Sequence, residues 1–135
     1  MSAVVDTGPV FAIFDDTDAW HQRASRWFKG RDDELIVPVT ILGEVGHFLE
    51  RHGGARHSIS FAEWLLQPRI QLEPLLPQDL RRMTLIMAQY PAIGFVDASV
   101  VAVAERLLVD TIATTDRRRF ASVQPRHTKR FTLVP

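Results

Sequence analysis

Short apolar runs alternate with longer segments of helical periodicity along this chain of 135 residues. Five such runs predict strands, at about residues 2–5, 35–37, 70–75, 111–114 and 131–134. Strand–helix–strand connections within one sheet are right-handed, and they place their helices on the sheet faces. The alternation therefore predicts an α/β fold: a single domain over residues 1–135, with a parallel sheet of four to five strands between two helical layers.

Proline, glycine and acidic residues mark the ends of the predicted helices. Pro9 and Pro38 fit the first turns of helices, and Asp18 fits an N-cap position. Gly53-Gly54 is expected to end the helix that follows the second strand. We expect helices over about 9–14, 18–29, 38–53, 58–67, 78–90 and 97–108. The large aromatic residues of the early helices are predicted core residues, with a partner groove or a dimer interface as the alternative. They are Trp20, Trp27, Phe28, Phe61 and Trp64.

The composition excludes several kinds of site. The absence of cysteine removes disulfide scaffolds, thiolate zinc sites and thiol nucleophiles. Sixteen Lys+Arg balance sixteen Asp+Glu, which argues against bulk electrostatic attraction to nucleic acid or membrane. No secretory signal or bilayer-length apolar run is apparent, so we expect a cytoplasmic location without membrane association.

Positive and negative charges balance in total, but they are segregated along the chain. Residues 1–18 contain four acids and no Lys or Arg, whereas residues 117–130 contain six Lys or Arg and no acid. The basic segment is interpreted either as a solvated face or as a rim that contacts phosphates.

Four acidic residues are positioned to converge at one edge of the predicted sheet. Ligands of open α/β sheets bind outside the carboxyl ends of the strands. Asp6 and Asp116 follow the first and fourth predicted strands, Glu44 lies about two turns into the helix after the second, and Asp97 begins the helix before the fourth. Their convergence would create a strongly acidic pocket.

Each of these acids also has an ordinary structural explanation. Asp97 and Asp116 fit N-cap positions, Asp6 could start a turn, and Glu44 could be a solvated helix residue. The glycines on either side of Glu44, at positions 43 and 46, favour function there, because a mid-helix glycine costs about 1 kcal/mol unless close packing requires it.

A cluster of four carboxylates requires a cation. Two like charges 4 Å apart repel by about 4 kcal/mol at an effective dielectric constant of 20. Oxygen ligands suit Mg²⁺ or Mn²⁺, and metal-assisted phosphodiester hydrolysis is the chemistry that such a site supports. Alternatively, Arg117, Arg118 or Arg119 could neutralise some of the acids without metal.

Four sequence elements at these acids resemble the PIN-domain family, and more narrowly its VapC-type toxins. They are V-V-D-T-G-P (4–9), P-V-T-I-L-G-E-V (38–45), F-V-D-A-S-V-V-A-V-A-E-R-L (95–107) and I-A-T-T-D-R-R-R-F (112–120). The resemblance implies a PIN-like three-layer sandwich and a Mg²⁺- or Mn²⁺-dependent endoribonuclease. It also implies RNA as the substrate, a cognate antitoxin that covers the site, and a homodimer.

The resemblance assigns roles to individual residues. Asp6, Glu44, Asp97 and Asp116 match the family's four acidic positions and would act as metal ligands and catalytic groups. Thr114 matches the hydroxyl of its T-x-D element, although Thr115 leaves open which hydroxyl faces the site. Thr7 is a weaker candidate, in support of the ligands. Val100 and Val101 stand where some members carry a further acid, so one versus two metal ions stays open.

Other functions remain possible at this stage. Glu44-x-x-His47 has the spacing of a di-iron motif, but no second E-x-x-H exists in the chain. A receiver-like or Mg²⁺-dependent phosphatase domain would also have acids at strand ends. The remaining alternative is a catalytically idle module whose acidic pocket binds a basic peptide.

Overall fold

The computed structural model describes residues 2–135, and within them five strands form one parallel sheet. The strands are β1 (Ala3–Val5), β2 (Leu35–Pro38), β3 (Ile70–Glu73), β4 (Thr111–Ala113) and β5 (Thr132–Val134). The helices are α1 (Thr7–Phe14), α2 (His21–Lys29), α3 (Thr40–Leu65), α4 (Pro77–Gln89), α5 (Phe95–Arg106) and α6 (Arg117–Ala121). The predicted alternation of strands and helices is confirmed.

The central strands are covered on both faces. Every residue of β1, β2 and β4 is buried, although successive side chains of a strand point to opposite faces. Helices must therefore lie against both sides of the sheet, as expected for a parallel sheet. Within residues 2–135, no helix is both long and apolar enough to cross a membrane.

The strand order β3-β2-β1-β4-β5 makes β1 the centre of the sheet. The chain builds outward from β1 through β2 to β3, and β4 then returns to the opposite side of β1. The connections leaving β1 and β4 thus diverge, and such a switch point opens a crevice at the carboxyl ends of the strands. Asp6 and Thr114 are the first residues after these two strands.

Several helix boundaries differ from the predicted ones. Helix α3 spans both helices predicted at 38–53 and 58–67, and Gly54 separates its two parts with a non-helical φ of 66° and ψ of −155°. Helix α2 begins at His21 rather than at Asp18, because the Asp18 carboxylate accepts a hydrogen bond from the Trp20 amide at 2.8 Å in the preceding turn. Helix α6 was not among the predicted helices, although Asp116 fits an N-cap position by residue type.

The predicted aromatic core is only partly buried. Phe61 and Trp64 are buried, whereas Trp20, Trp27 and Phe28 are half-buried. Phe14 packs edge-on against both Phe61 and Trp64, with ring centroids 5.9 and 6.1 Å apart. These contacts join α1 to the second part of α3.

Candidate active site

Asp6 lies at the centre of the candidate site. It leaves β1 in extended conformation, and its amide donates to the carbonyl of Ala113 at 2.9 Å, so β4 fixes its backbone. Its side chain is buried, and burial raises its pKa from 3.8 to about 6. Hydrogen bonds from the Thr7 amide and Thr114 lower the pKa, while the negative charges of Asp97 and Glu44 raise it further.

Thr114 connects two of the acids. Its hydroxyl donates to Asp6 Oδ2 at 3.0 Å and accepts from the backbone N–H of Asp116 at 2.9 Å. The threonine is completely buried, so this arrangement is fixed by packing as well as by hydrogen bonds. Of the two adjacent threonines, Thr114 is the one that bonds to Asp6, while Thr115 lies against Gly8.

Asp116 is the N-cap of α6. Its Oδ1 accepts from the Arg119 amide at 3.3 Å, so the capping explanation for this acid is correct. Its second carboxylate oxygen, Oδ2, lies 3.0 Å from Arg119 Nε. The same residue therefore both begins the helix and contributes charge to the site.

Asp97 is not an N-cap, contrary to the expectation from the sequence. Helix α5 begins two residues earlier, at Phe95, with Gly94 in the cap position. Asp97 lies in the first helical turn, where the helix dipole stabilises a negative charge. Its Oδ2 accepts from Arg119 Nη1 at 3.0 Å.

Glu44 is exposed in the second turn of α3 and faces the same cleft. Gly94, Phe95, Val96, Asp97 and Arg119 line this cleft with it. The close packing expected at Gly43 and Gly46 is absent, because a Cβ added at either position would meet nothing within 4 Å. The glycines therefore do not argue for a role of Glu44, whereas its position beside Asp97 does.

Arg119 is the cation of the site. Its guanidinium bridges Asp97 and Asp116, and the hydrogen bond and charge of Asp97, followed by the charge of Asp116, raise its pKa. Within residues 2–135, no three His, Asp or Glu side chains surround a common point closely enough to hold a metal ion. The alternative of neutralisation by an arginine is thus the arrangement observed in this structure.

The residues nevertheless fit a divalent cation. The donors are carboxylate and hydroxyl oxygens, which suit Mg²⁺ and Mn²⁺. The raised pKa of Asp6 shows that its neighbours do not compensate for the burial of its negative charge. Beside it, the hydroxyl of Thr7 is buried without a hydrogen-bond partner. Both observations indicate a site with capacity for a further cation or water.

The histidines and one aromatic residue complete the description of this region. His47, of the E-x-x-H spacing, is exposed, and its ring lies 6.3 Å from that of Phe48. His52 bonds to the carbonyl of Phe48 at 2.7 Å, so neither histidine contacts the acids. Phe95 was not predicted as a site residue, although it begins the family element at 95–107; it is 54% exposed at the cleft.

The PIN-domain family model matches residues 3–124 of the chain. The chain belongs to the PIN-domain family. Ribonuclease VapC26 from Mycobacterium tuberculosis is 26% identical over 134 residues, covering 98% of this chain and 99% of that protein. The resemblance of the four sequence elements is therefore confirmed at the level of the family.

Solved structures share the PIN-domain fold. VapC20 from Mycobacterium tuberculosis, a toxin that cleaves the sarcin-ricin loop, superposes with a TM-score of 0.78 at 20% identity. That match covers 87% of this chain and 92% of the other. A toxin–antitoxin complex from Klebsiella pneumoniae gives a TM-score of 0.67 at 14% identity, covering 90% and 92% of the two chains.

Proposed function

We propose that this PIN-domain protein is a metal-dependent endoribonuclease and the toxin of a toxin–antitoxin pair. The observation that carries the proposal is the buried Asp6 carboxylate at the switch point of the sheet, with Asp97 and Glu44 close enough to raise its pKa. The similarity to ribonuclease VapC26 over nearly the whole chain supports RNA as the substrate.

Mg²⁺ or Mn²⁺ would be held by Asp6, Glu44, Asp97 and Asp116. When bound, the ion supplies Lewis acidity at the phosphate and lowers the pKa of the attacking water. Thr114 keeps the Asp6 carboxylate oriented through its hydroxyl and fixes the start of α6 through the Asp116 amide. Glu44, the exposed acid of the cleft, would orient the attacking water and accept its proton.

A cognate antitoxin is the proposed protein partner. The similar structures include the Klebsiella pneumoniae toxin–antitoxin complex and VapBC2 from Rickettsia felis bound to a promoter DNA fragment, at a TM-score of 0.65. A largely apolar cleft beside the acids, lined by Thr7, Phe11, Phe48 and His52 among others, is available to an amphipathic segment. The predicted homodimer remains a prediction, and so does a cytoplasmic location.

The decisive experiment is RNA cleavage by the purified protein with and without Mg²⁺ or Mn²⁺. Cleavage should require the divalent ion, stop in EDTA, and fall by at least about a hundredfold in Asp6→Asn and Asp97→Asn, because losing a ligand disrupts charge stabilisation at the phosphate. Asp16→Asn, in the exposed loop after α1, is the matched control and should retain activity. Cleavage that persists in EDTA or in both site variants would contradict the proposal.

The observed Arg119 bridge favours one second candidate, an idle pocket that binds a basic peptide. A cleft that already accommodates one guanidinium could accept another from a partner. Calorimetry separates the two functions: tight binding of an arginine peptide without divalent-ion binding would favour the idle pocket. A small-phosphoester assay tests the remaining phosphatase alternative.

A further inference from the structure

Arg119 bonds to the carboxylate oxygens that the proposed metal ion needs. Its Nη1 lies 3.0 Å from Asp97 Oδ2, and its Nε lies 3.0 Å from Asp116 Oδ2. The two acids belong to different helices, α5 and α6, so the guanidinium joins the two sides of the cleft. A metal ion ligated by these oxygens would compete with the guanidinium for them, because both are positively charged.

The bridge is of a kind that can open. The Arg119 side chain is 52% exposed, compared with 13% for Asp97 and 41% for Asp116. Solvent screens an ion pair whose cation is half-exposed, which weakens the pair, so a divalent ion can replace the guanidinium. The side chain of Arg106 is only 13% exposed, so its salt bridges are shielded from solvent and do not open in this way.

The released side chain would remain at the cleft. Arg119 lines it together with Phe95 and Asp97, and a half-exposed guanidinium there can reach a phosphate lying across the acids. Guanidinium groups bind phosphate oxygens through two parallel hydrogen bonds. The residue can therefore change partners without leaving the site.

We infer that Arg119 is an exchangeable counter-ion of the acidic cleft: it pairs with Asp97 and Asp116 in the metal-free protein, is displaced by the divalent ion, and then binds the RNA phosphate. This inference rests on the proposed nuclease function. It makes Arg119 both a competitor of the metal and a contact of the substrate.

The first test is calorimetry of Mn²⁺ binding to the whole protein without RNA. Arg119→Gln should bind Mn²⁺ about tenfold more tightly than the wild type, because the ion no longer has to break two ion pairs. Arg118→Gln is the matched control, since it removes the same charge from an exposed neighbour on α6; its affinity should change less than about twofold. If both variants changed the Mn²⁺ affinity equally, Arg119 would act only through its long-range charge, and the proposed exchange would be wrong.

The second test is binding of a single-stranded RNA oligonucleotide by fluorescence anisotropy, with phosphorothioate linkages that resist cleavage so that all four acids are kept. Arg119→Gln should weaken RNA binding several-fold in Mn²⁺ and leave it unchanged in EDTA, where Arg119 is engaged by the acids. A loss of the same size in both conditions would contradict the exchange.

The two tests distinguish failure of the inference from failure of the function. If the wild type binds no Mn²⁺ and cleaves no RNA, both are wrong. If the wild type binds Mn²⁺ and cleaves RNA but Arg119→Gln binds Mn²⁺ no more tightly, only the exchange is wrong.

Discussion

When the Asp6 carboxylate is charged, it destabilises the folded, metal-free protein. Its desolvation outweighs the hydrogen bonds from Thr7 and Thr114, which is why its pKa rises to about 6. The folded state consequently binds a proton more tightly than the unfolded chain does at this position. The fold thus keeps at the carboxyl ends of the strands a charged group that packing alone would not favour.

The first prediction concerns stability against pH in EDTA. Because the folded-state pKa is raised, the contribution of Asp6 to stability is most favourable below about pH 4 and is lost as the pH rises to about 6, by at most about 3 kcal/mol. Asp6→Asn should remove this component and stabilise the metal-free protein at pH 7. Urea unfolding of both proteins between pH 4 and pH 7.5 measures the difference.

The same experiment has a matched control. Asp16→Asn changes an exposed acid ten residues further on, and it should leave the pH dependence of the wild type intact. An Asp6→Asn protein that is less stable than the wild type at pH 7 in EDTA would show that the buried charge is compensated.

At the scale of elements, Gly8 of α1 and Gly43 of α3 have different physical roles. Gly43 lies in α3 with open space where a Cβ would be. In α1, a Cβ at Gly8 would lie 2.1 Å from the hydroxyl oxygen and 3.2 Å from the Cβ of Thr115. Of these two glycines, Gly8 is the one required by close packing, between the start of α1 and the segment that carries Thr114 and Asp116.

The second prediction follows from this contrast. Gly43→Ala should stabilise the protein by about 0.5–1 kcal/mol, because alanine has the higher helix propensity and meets no neighbour. Gly8→Ala should destabilise it, because Thr115 must move to make room. Urea midpoints of both variants test the assignment, and a loss of stability in Gly43→Ala would contradict it.

The sequence predicts elements better than it predicts their ends. Apolar runs and glycine breaks locate the strands and the interruption of α3, because burial and backbone freedom depend on local residue types. The start of α5 was misplaced because Asp97 is a good capping residue by type, yet Gly94 is the N-cap. Capping propensity does not reveal which of two nearby candidates the tertiary structure uses.

For the whole molecule, the sequence predicts the parallel sheet and the set of acids at its edge. It does not predict their ion pairs: all three arginines at 117–119 were candidates, and the tertiary structure brings Arg119 within 3.0 Å of Asp97. Phe95 was missed for a related reason, since exposure at a cleft depends on surrounding elements rather than on the residue itself.

A buried cluster of charged side chains joins the edge strand β3 to helices α4 and α5. Arg106, at the end of α5, donates to Asp79 on α4 at 2.9 Å and to Glu73 on β3 at 2.8 Å. The Asp79 side chain is 1% exposed and that of Glu73 is 10% exposed. The cluster thus fixes the far end of the helix whose first turn carries Asp97.

The third prediction removes the cation of this cluster. Arg106→Met should destabilise the protein by about 3–5 kcal/mol, because it leaves two buried carboxylates without their partner. Arg81→Met, at an exposed position on α4, is the control and should stay within about 0.5 kcal/mol of the wild type. Denaturant unfolding measures both, and similar effects of the two variants would show that the carboxylates find other compensation.

The hydrogen bond between Thr114 and Asp6 joins residues 108 positions apart in the sequence. Since β1 lies beside β4, a chain synthesised only as far as residue 110 lacks both the strand that fixes Asp6 and the last acid of the cleft. A nascent chain of this length therefore has an incomplete set of acids, and we expect it to lack the proposed nuclease activity. The sheet order thus delays assembly of the acidic cleft until β4 and the residues after it have been synthesised.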